Sequence, residues 1–354
     1  MESHLTGVNI LTDIYFNQLN PTEMYSFEKI FKPAVSAAMA ASLLACTMTD
    51  PENKAVVTAE DGMISVNVSV PAKGTRLLDI QGESNVNSLQ VFVFSSDDRL
   101  EAYASGDGSS LTLDCTSGEK EFMAVTNAPS LESILTKSEL QSAVSDLSDN
   151  SPSGLVMSGS VSRTLSGADT DVEIPVARLV ARISVREITN GLSVPGYYDS
   201  SIELTDIYLS DVAGTCPYFG THEPEEWINK LGIAEETSEL LHSGNLSGSI
   251  SHGNTYRTSH YFYCYPNPVS DDSSSLTWCP RFTRLVIATE IEGETYYYPI
   301  AIGNIEANHT YDIEHVQINR LGSDNPAVPV EVGSVSVSIK VMDWETGTVT
   351  DVTI

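Results

Sequence analysis

The chain has 354 residues, enough for one large domain or two ordinary ones. Its 18 Lys+Arg stand against 48 Asp+Glu, a formal charge of -30 that repels polyanions and excludes nucleic acid as a partner. With 41% apolar and only 19% charged residues, the chain can bury a core and is not an acidic disordered polymer.

In chain order, the first feature is the apolar run from Ala34 to Ala45. It falls short of the roughly 20 residues a membrane-spanning helix needs and has the length of a signal-peptide core. Lys29 and Lys32 precede it, whereas Met1 to Glu23 carries no Lys or Arg. Translocation signals place positive charge beside the apolar core, so Met24 reads as the functional start. Residues 1–23 then read as an upstream extension and 24–45 as the signal peptide. Leu43-Leu44-Ala45-Cys46 resembles a bacterial lipobox, which makes Cys46 the expected lipidation site and new N-terminus. Diacylation there would anchor the chain firmly, since each buried methylene adds about 0.8 kcal/mol. Residues 46–57 read as a polar tether.

Beyond the tether the apolar period becomes two. Ile64, Val66, Val68 and Val70 alternate with Ser65, Asn67 and Ser69, the pattern of a strand with one buried face. Pro71 to Arg76 reads as an exposed connector. Strand signals recur at Leu89–Phe94, Leu111–Asp114, Glu121–Thr126, Leu179–Val185, Ile202–Leu209, Tyr261–Tyr265, Arg284–Ile291, Thr295–Ile302, Tyr311–Ile318 and Ser334–Val341. Helical pattern is confined to insertions: one or two short helices within Ser130–Ser148, where Ser and Glu stand in capping relation, and another at Glu225–Gly232. Strands with helices only in the connections imply an all-β sandwich architecture. Gly191, Pro195 and Gly196 between strand signals mark the best boundary, which divides a β domain at 58–193 from one at 194–354.

Catalytic patterns are weak. His222-Glu223 opens like a zinc-protease motif but lacks a His four residues on, and Asp169-Thr170-Asp171 lacks the rest of a calcium loop. Phosphate-binding loops, nucleophile elbows and CxxC or Cys/His clusters are missing from the sequence, so we expect no enzyme, no metal and no cofactor. Cys115, Cys216, Cys264 and Cys279 could pair in an oxidising compartment, Cys264 with Cys279 among the possibilities, but spacing does not establish a pairing. Tyr261 with Tyr263, or Tyr296 with Tyr298, could stack sugars if both rings of a pair faced solvent. A hydrolase would need two carboxyl groups facing each other, and nothing nominates a pair.

Several segments together resemble the bacterial fimbrillin family, the lipoprotein precursors of major and minor fimbrial subunits. They are Leu43 to Cys46, Thr75-Arg76 after the first strand, Leu89–Phe94, Gly118–Pro129, Leu155–Gly159, Pro175–Val185, Ala307–Ile313, Asn319–Pro326 and the late Trp344. The resemblance implies two tandem transthyretin-like β-sandwich domains and assembly by strand exchange with other fimbrial subunits. It implies an outer-membrane lipoprotein precursor held by lipid at Cys46, cut after Arg76 by an Arg-specific protease, and then a cell-surface fimbrium that supports adhesion. Cleavage would release the first strand, 63–70, with Ile64, Val66, Val68 and Val70, and leave an apolar groove. The expected donor lies at the C-terminus: Val335, Val337, Ile339 and Val341 alternate cleanly, but that strand reads as integral to the second sandwich, closed by Trp344. Val349, Val352 and Ile354 remain as the donor candidate, with Val352 and Ile354 in phase and Val349 out of it. So short a tail also suits an anchor or tip subunit. A surface glycan-binding lipoprotein that does not polymerise is the further alternative.

Overall fold

The structure is a computed structural model that describes residues 63–71, 80, 82–167, 171–331, 333–344 and 349–352. The signal peptide, Cys46, the tether, Arg76 and Ile354 lie outside them. Nearly all regular structure is strand, as the two-residue period predicts.

Five strands open the described chain: β1 (Met63–Ser69), β2 (Ser88–Ser95), β3 (Leu100–Asp107), β4 (Ser110–Thr116) and β5 (Gly118–Thr126). A three-stranded sheet places β1 between β4 and the strand Asp171–Glu173. It faces a five-stranded sheet in which β2 lies between β3 and β5, and Met157–Leu165 and Ala177–Arg178 continue beyond β5. Between the two sheets Val66, Val68, Leu89, Val91, Val93, Leu113, Phe122, Val172 and Ile174 form one apolar core. The run Leu89–Phe94 is apolar but for the buried Gln90 because β2 is buried on both faces. Leu89, Val91 and Val93 enter this core, while Phe92 and Phe94 pack on the opposite side with Met123, Ile134 and Leu140.

The helical insertion supplies that second cover, and it is shorter than the sequence suggests. Only Lys137–Ser142 is α-helical, capped by Thr136, whose hydroxyl accepts from the Glu139 amide while the Glu139 carboxylate accepts from the Thr136 amide. Val144–Asp146 leaves the helix to pair with Thr215–Pro217. The other expected helix, Glu225–Gly232, is a two-residue strand followed by a 3-10 turn. Asn229 and Leu231 adopt left-handed backbone there, with φ of 53° and 58°. Local hydrogen bonds override helix propensity: the Asn229 side chain donates to Leu209 O and accepts from the Glu236 amide, and Asp211 accepts from the Leu231 amide.

The later strands build two further sheets. Ile202–Ser210, Gly248–Ile250, Thr283–Ile291 and Glu294–Ile302 form a four-stranded sheet. In the other, His309–Ile318 pairs in parallel with Ala181–Val185 and Ile188–Asn190 and antiparallel with Val335–Asp343. The strand signal at 179–185 therefore pairs with C-terminal strands. The largest apolar cluster includes Ile183, Ile207, Leu209, Phe262, Leu285, Ile287, Ile313, Val316 and Trp344.

Candidate functional site

The site is the seat of the first strand. β1 exposes Met63, Ser65, Asn67 and Ser69 and buries Ile64, Val66 and Val68, with Val70 buried just beyond its end, so every apolar position read from the sequence points inward. Val66 and Val68 are 0% exposed. Burying each such side chain stabilises its position by about 1.5 to 3 kcal/mol.

Backbone pairing of β1 is asymmetric. β4 runs antiparallel along its whole length, from Met63↔Thr116 to Ser69↔Ser110. On the other side the parallel strand Asp171–Glu173 spans only Asn67 to Ser69. Two bonds close this end: the Val70 amide to Ser109 O at 2.9 Å, and the Ile174 amide to Ser69 O at 2.9 Å. The Asn67 side chain accepts from the Thr112 hydroxyl at 2.8 Å.

The walls are braced without β1. Glu101, on β3, accepts from the Thr116 hydroxyl at 2.8 Å and pairs with Lys120, tying β3 to the end of β4 and the start of β5. Burial acts to raise the Glu101 pKa, but Lys120 and the Thr116 amide and hydroxyl outweigh it, and the carboxyl sits below its ordinary value. Gly159, in the strand Met157–Leu165, lets the chain after Asp171–Glu173 pass close by: a Cβ there would lie 2.0 Å from Pro175 O. Sequence reading gave this seat no further residues, yet it holds Cys115. That thiol lies opposite Ile64 in the register, is 1% exposed and belongs to the core that β1 completes. Burial pushes its pKa up, with Glu101 adding to the effect.

Cys115, Cys216, Cys264 and Cys279 are all free thiols. Burial pushes Cys216 and Cys264 up to about 12, and Cys279 is half-buried. At the other end, Val335–Asp343 is integral to its sheet and Trp344 is 0% exposed. Val349–Val352 forms a strand antiparallel to it, with Ile339↔Val352 and Met342↔Val349. The tyrosine pairs do not present two rings to solvent: Tyr263 and Tyr298 are buried, Tyr261 is exposed and Tyr296 half-buried. His222 is turned to Pro266 O at 2.8 Å, and among the described residues no group of His, Cys, Asp or Glu could hold a metal. A Ser/His/Asp grouping at Ser243, His242 and Asp206 is wired against catalysis. The Ser243 hydroxyl donates to Asp206, and the His242 ring bonds Asp206 through Nε2 and the Gly244 amide through Nδ1, leaving no base for the hydroxyl.

Stacked sheets, an apolar-faced first strand and free buried thiols define an all-β protein of the sandwich class with no assembled catalytic centre among the described residues. Residues 63–194, the part containing this seat, match the model of the family described as major fimbrial subunit protein (FimA). Solved structures share the fold. A Bacteroides eggerthii protein assigned to cell adhesion superposes with a TM-score of 0.59 at 16% identity, over 82% of this chain and 98% of that one. A fimbrilin (FimA) from Porphyromonas gingivalis gives 0.57 at 13% identity, over 79% and 97%. The tip fimbrial protein Mfa3 of the same species, truncated at its C-terminus, gives 0.51 at 15%, over 80% and 100%. No curated protein matches the chain in sequence.

Proposed function

We propose that this protein is a structural subunit of a cell-surface fimbria, exported as an outer-membrane lipoprotein through Cys46 and assembled by protease-triggered donor-strand exchange. In this reading the chain folds as two sandwich domains that divide before Ala181, since Ala181–Val185 and Ile188–Asn190 pair with His309–Ile318, and it performs no catalysis. One observation carries the reading. The first strand fills a core with alternating side chains, is paired along its whole length on one side only, and leads into the segment that holds Arg76.

Cutting after Arg76 severs the covalent link between β1 and the rest of the domain, so its retention rests on non-covalent contacts alone. Its loss bares Leu113, Cys115 and Val172 and a row of β4 backbone groups, a template for an incoming strand. The tail 349–354 of another copy supplies that strand, with Val352 and Ile354 in phase. Donor and groove are different surfaces of the subunit, so the contact is heterologous, does not close on itself and propagates as a filament.

The test is to incubate purified precursor with an Arg-specific protease and run the product in SDS. A ladder of multimers is expected from the parent and none from Arg76→Ala. A parent that is cut and stays monomeric overturns strand exchange.

A second reading, an anchor or tip subunit, is favoured by the four-residue strand Val349–Val352, which pairs with its own chain. An anchor would keep Cys46 and escape cutting after Arg76.

A further inference from the structure

The two ends that strand exchange would use, the chain after the first strand and the exit of the tail, meet in one buried ionic cluster. Glu83 is 0% exposed, an unusual place for a carboxylate. Its two oxygens accept from Arg182 Nη1 at 2.9 and 2.8 Å. Oε1 also accepts from the Tyr263 hydroxyl at 2.6 Å, and Oε2 from the Ile80 amide at 2.7 Å. Its backbone carbonyl accepts from Arg178 Nε at 3.1 Å. Ile80 and Glu83 are thereby fastened to Ala177–Arg178, Ala181–Val185 and His260–Cys264, the strands that carry these partners.

Both guanidinium groups then close on Trp344, the residue that ends the C-terminal strand region. Arg178 Cζ lies 4.4 Å and Arg182 Cζ 4.9 Å from the indole centroid, and Tyr263 stacks beside it at 6.4 Å. The Trp344 amide donates to Asn308 O at 3.0 Å, and Arg178 Nη1 reaches Asn308 Oδ1 at 3.5 Å. The Glu83 carboxylate pairs directly with the Arg182 guanidinium at 2.8 Å, while Arg178 reaches the Glu83 backbone carbonyl. Breaking a buried ion pair is strongly unfavourable, so taking away the carboxylate charge drives Arg182 to rearrange and disturbs one wall of Trp344.

We propose that Glu83 is a positioning residue whose charge locks the tail's exit at Trp344 to the chain that follows the first strand. For its use in assembly the proposal rests on the strand-exchange reading; as a coupling between two ends of one chain it does not. Coupling of this kind is reciprocal. Loosening Glu83 frees Trp344 and the strand Val335–Asp343, and loosening Trp344 frees residues 82–87.

Amide hydrogen exchange on the uncut full chain tests it, because no cleavage or polymerisation is involved. Glu83→Gln keeps the shape and removes the charge; it should speed exchange across 335–344 by about ten-fold while the 63–69 amides keep their parent rates. Trp344→Phe should speed exchange at 82–87. Tyr263→Phe, which removes one bond and keeps the ion pair, should show the same pattern at smaller amplitude and serves where Glu83→Gln does not fold. Faster exchange confined to residues around the substituted side chain, or a uniform rise that includes 63–69, overturns the proposal. A missing multimer ladder would sink strand exchange and leave this coupling standing.

Discussion

Glu101 shows how single side chains hold the groove in shape. Its folded pKa lies below the ordinary 4.5, so the folded state takes up its proton less readily than the unfolded chain. Stability from this group is fully present above that ordinary value and is lost as pH falls through the folded value. Urea unfolding of the precursor should therefore weaken below about pH 4.5, and Glu101→Gln should flatten part of that acid limb. Equal acid slopes in parent and variant would contradict the assignment. Individual residues were also where the sequence was least legible. Nothing local marks Glu83, because its partners Arg182 and Tyr263 lie far along the chain. The role of Cys115 appears only once β4 is set against β1.

At the scale of elements, the seat predicts its own reporter. With Cys279 replaced by Ser to silence the half-buried thiol, Cys115 should resist maleimide in the intact precursor. Val68→Asp, which puts a charge at a 0% exposed position, should unseat β1 and make Cys115 reactive without any cleavage. Cys115 protection equal to the parent's in a folded Val68→Asp protein would show that β1 does not cover the thiol. The elements themselves were well marked where one face is buried: the alternation from Ile64 to Val70 became β1 with every apolar residue inside. β3 escaped notice because Leu100 to Ala104 are all half-buried and no alternation survives. Ser130–Ser148 holds one short α-helix, Lys137–Ser142, and runs into a 3-10 turn, Leu147–Asp149. Its spacing fits a helix, but Val144–Asp146 gains more by pairing with Thr215–Pro217, a tertiary contact no local window contains.

At the scale of the whole molecule, the all-β architecture followed from the two-residue period, while sheet order did not. That Ala181–Val185 pairs with His260–Cys264 and His309–Ile318 is long-range information. The assembled account has one physical logic. In the proposed assembly, a strand covalently tied to its domain satisfies a groove, proteolysis would remove the tie, and an equivalent strand from the next copy would take its place. The excess of 48 acidic over 18 basic residues gives the chain strong negative charge, which disfavours indiscriminate association and in the proposed assembly would leave the groove as the specific contact. The most direct test is the mass and N-terminus of the chain recovered from cells in SDS-resistant multimers. The account predicts a chain beginning at Leu77, without lipid and without the first strand. Multimers whose subunits still begin at a lipidated Cys46 and retain Met63–Ser69 would contradict it.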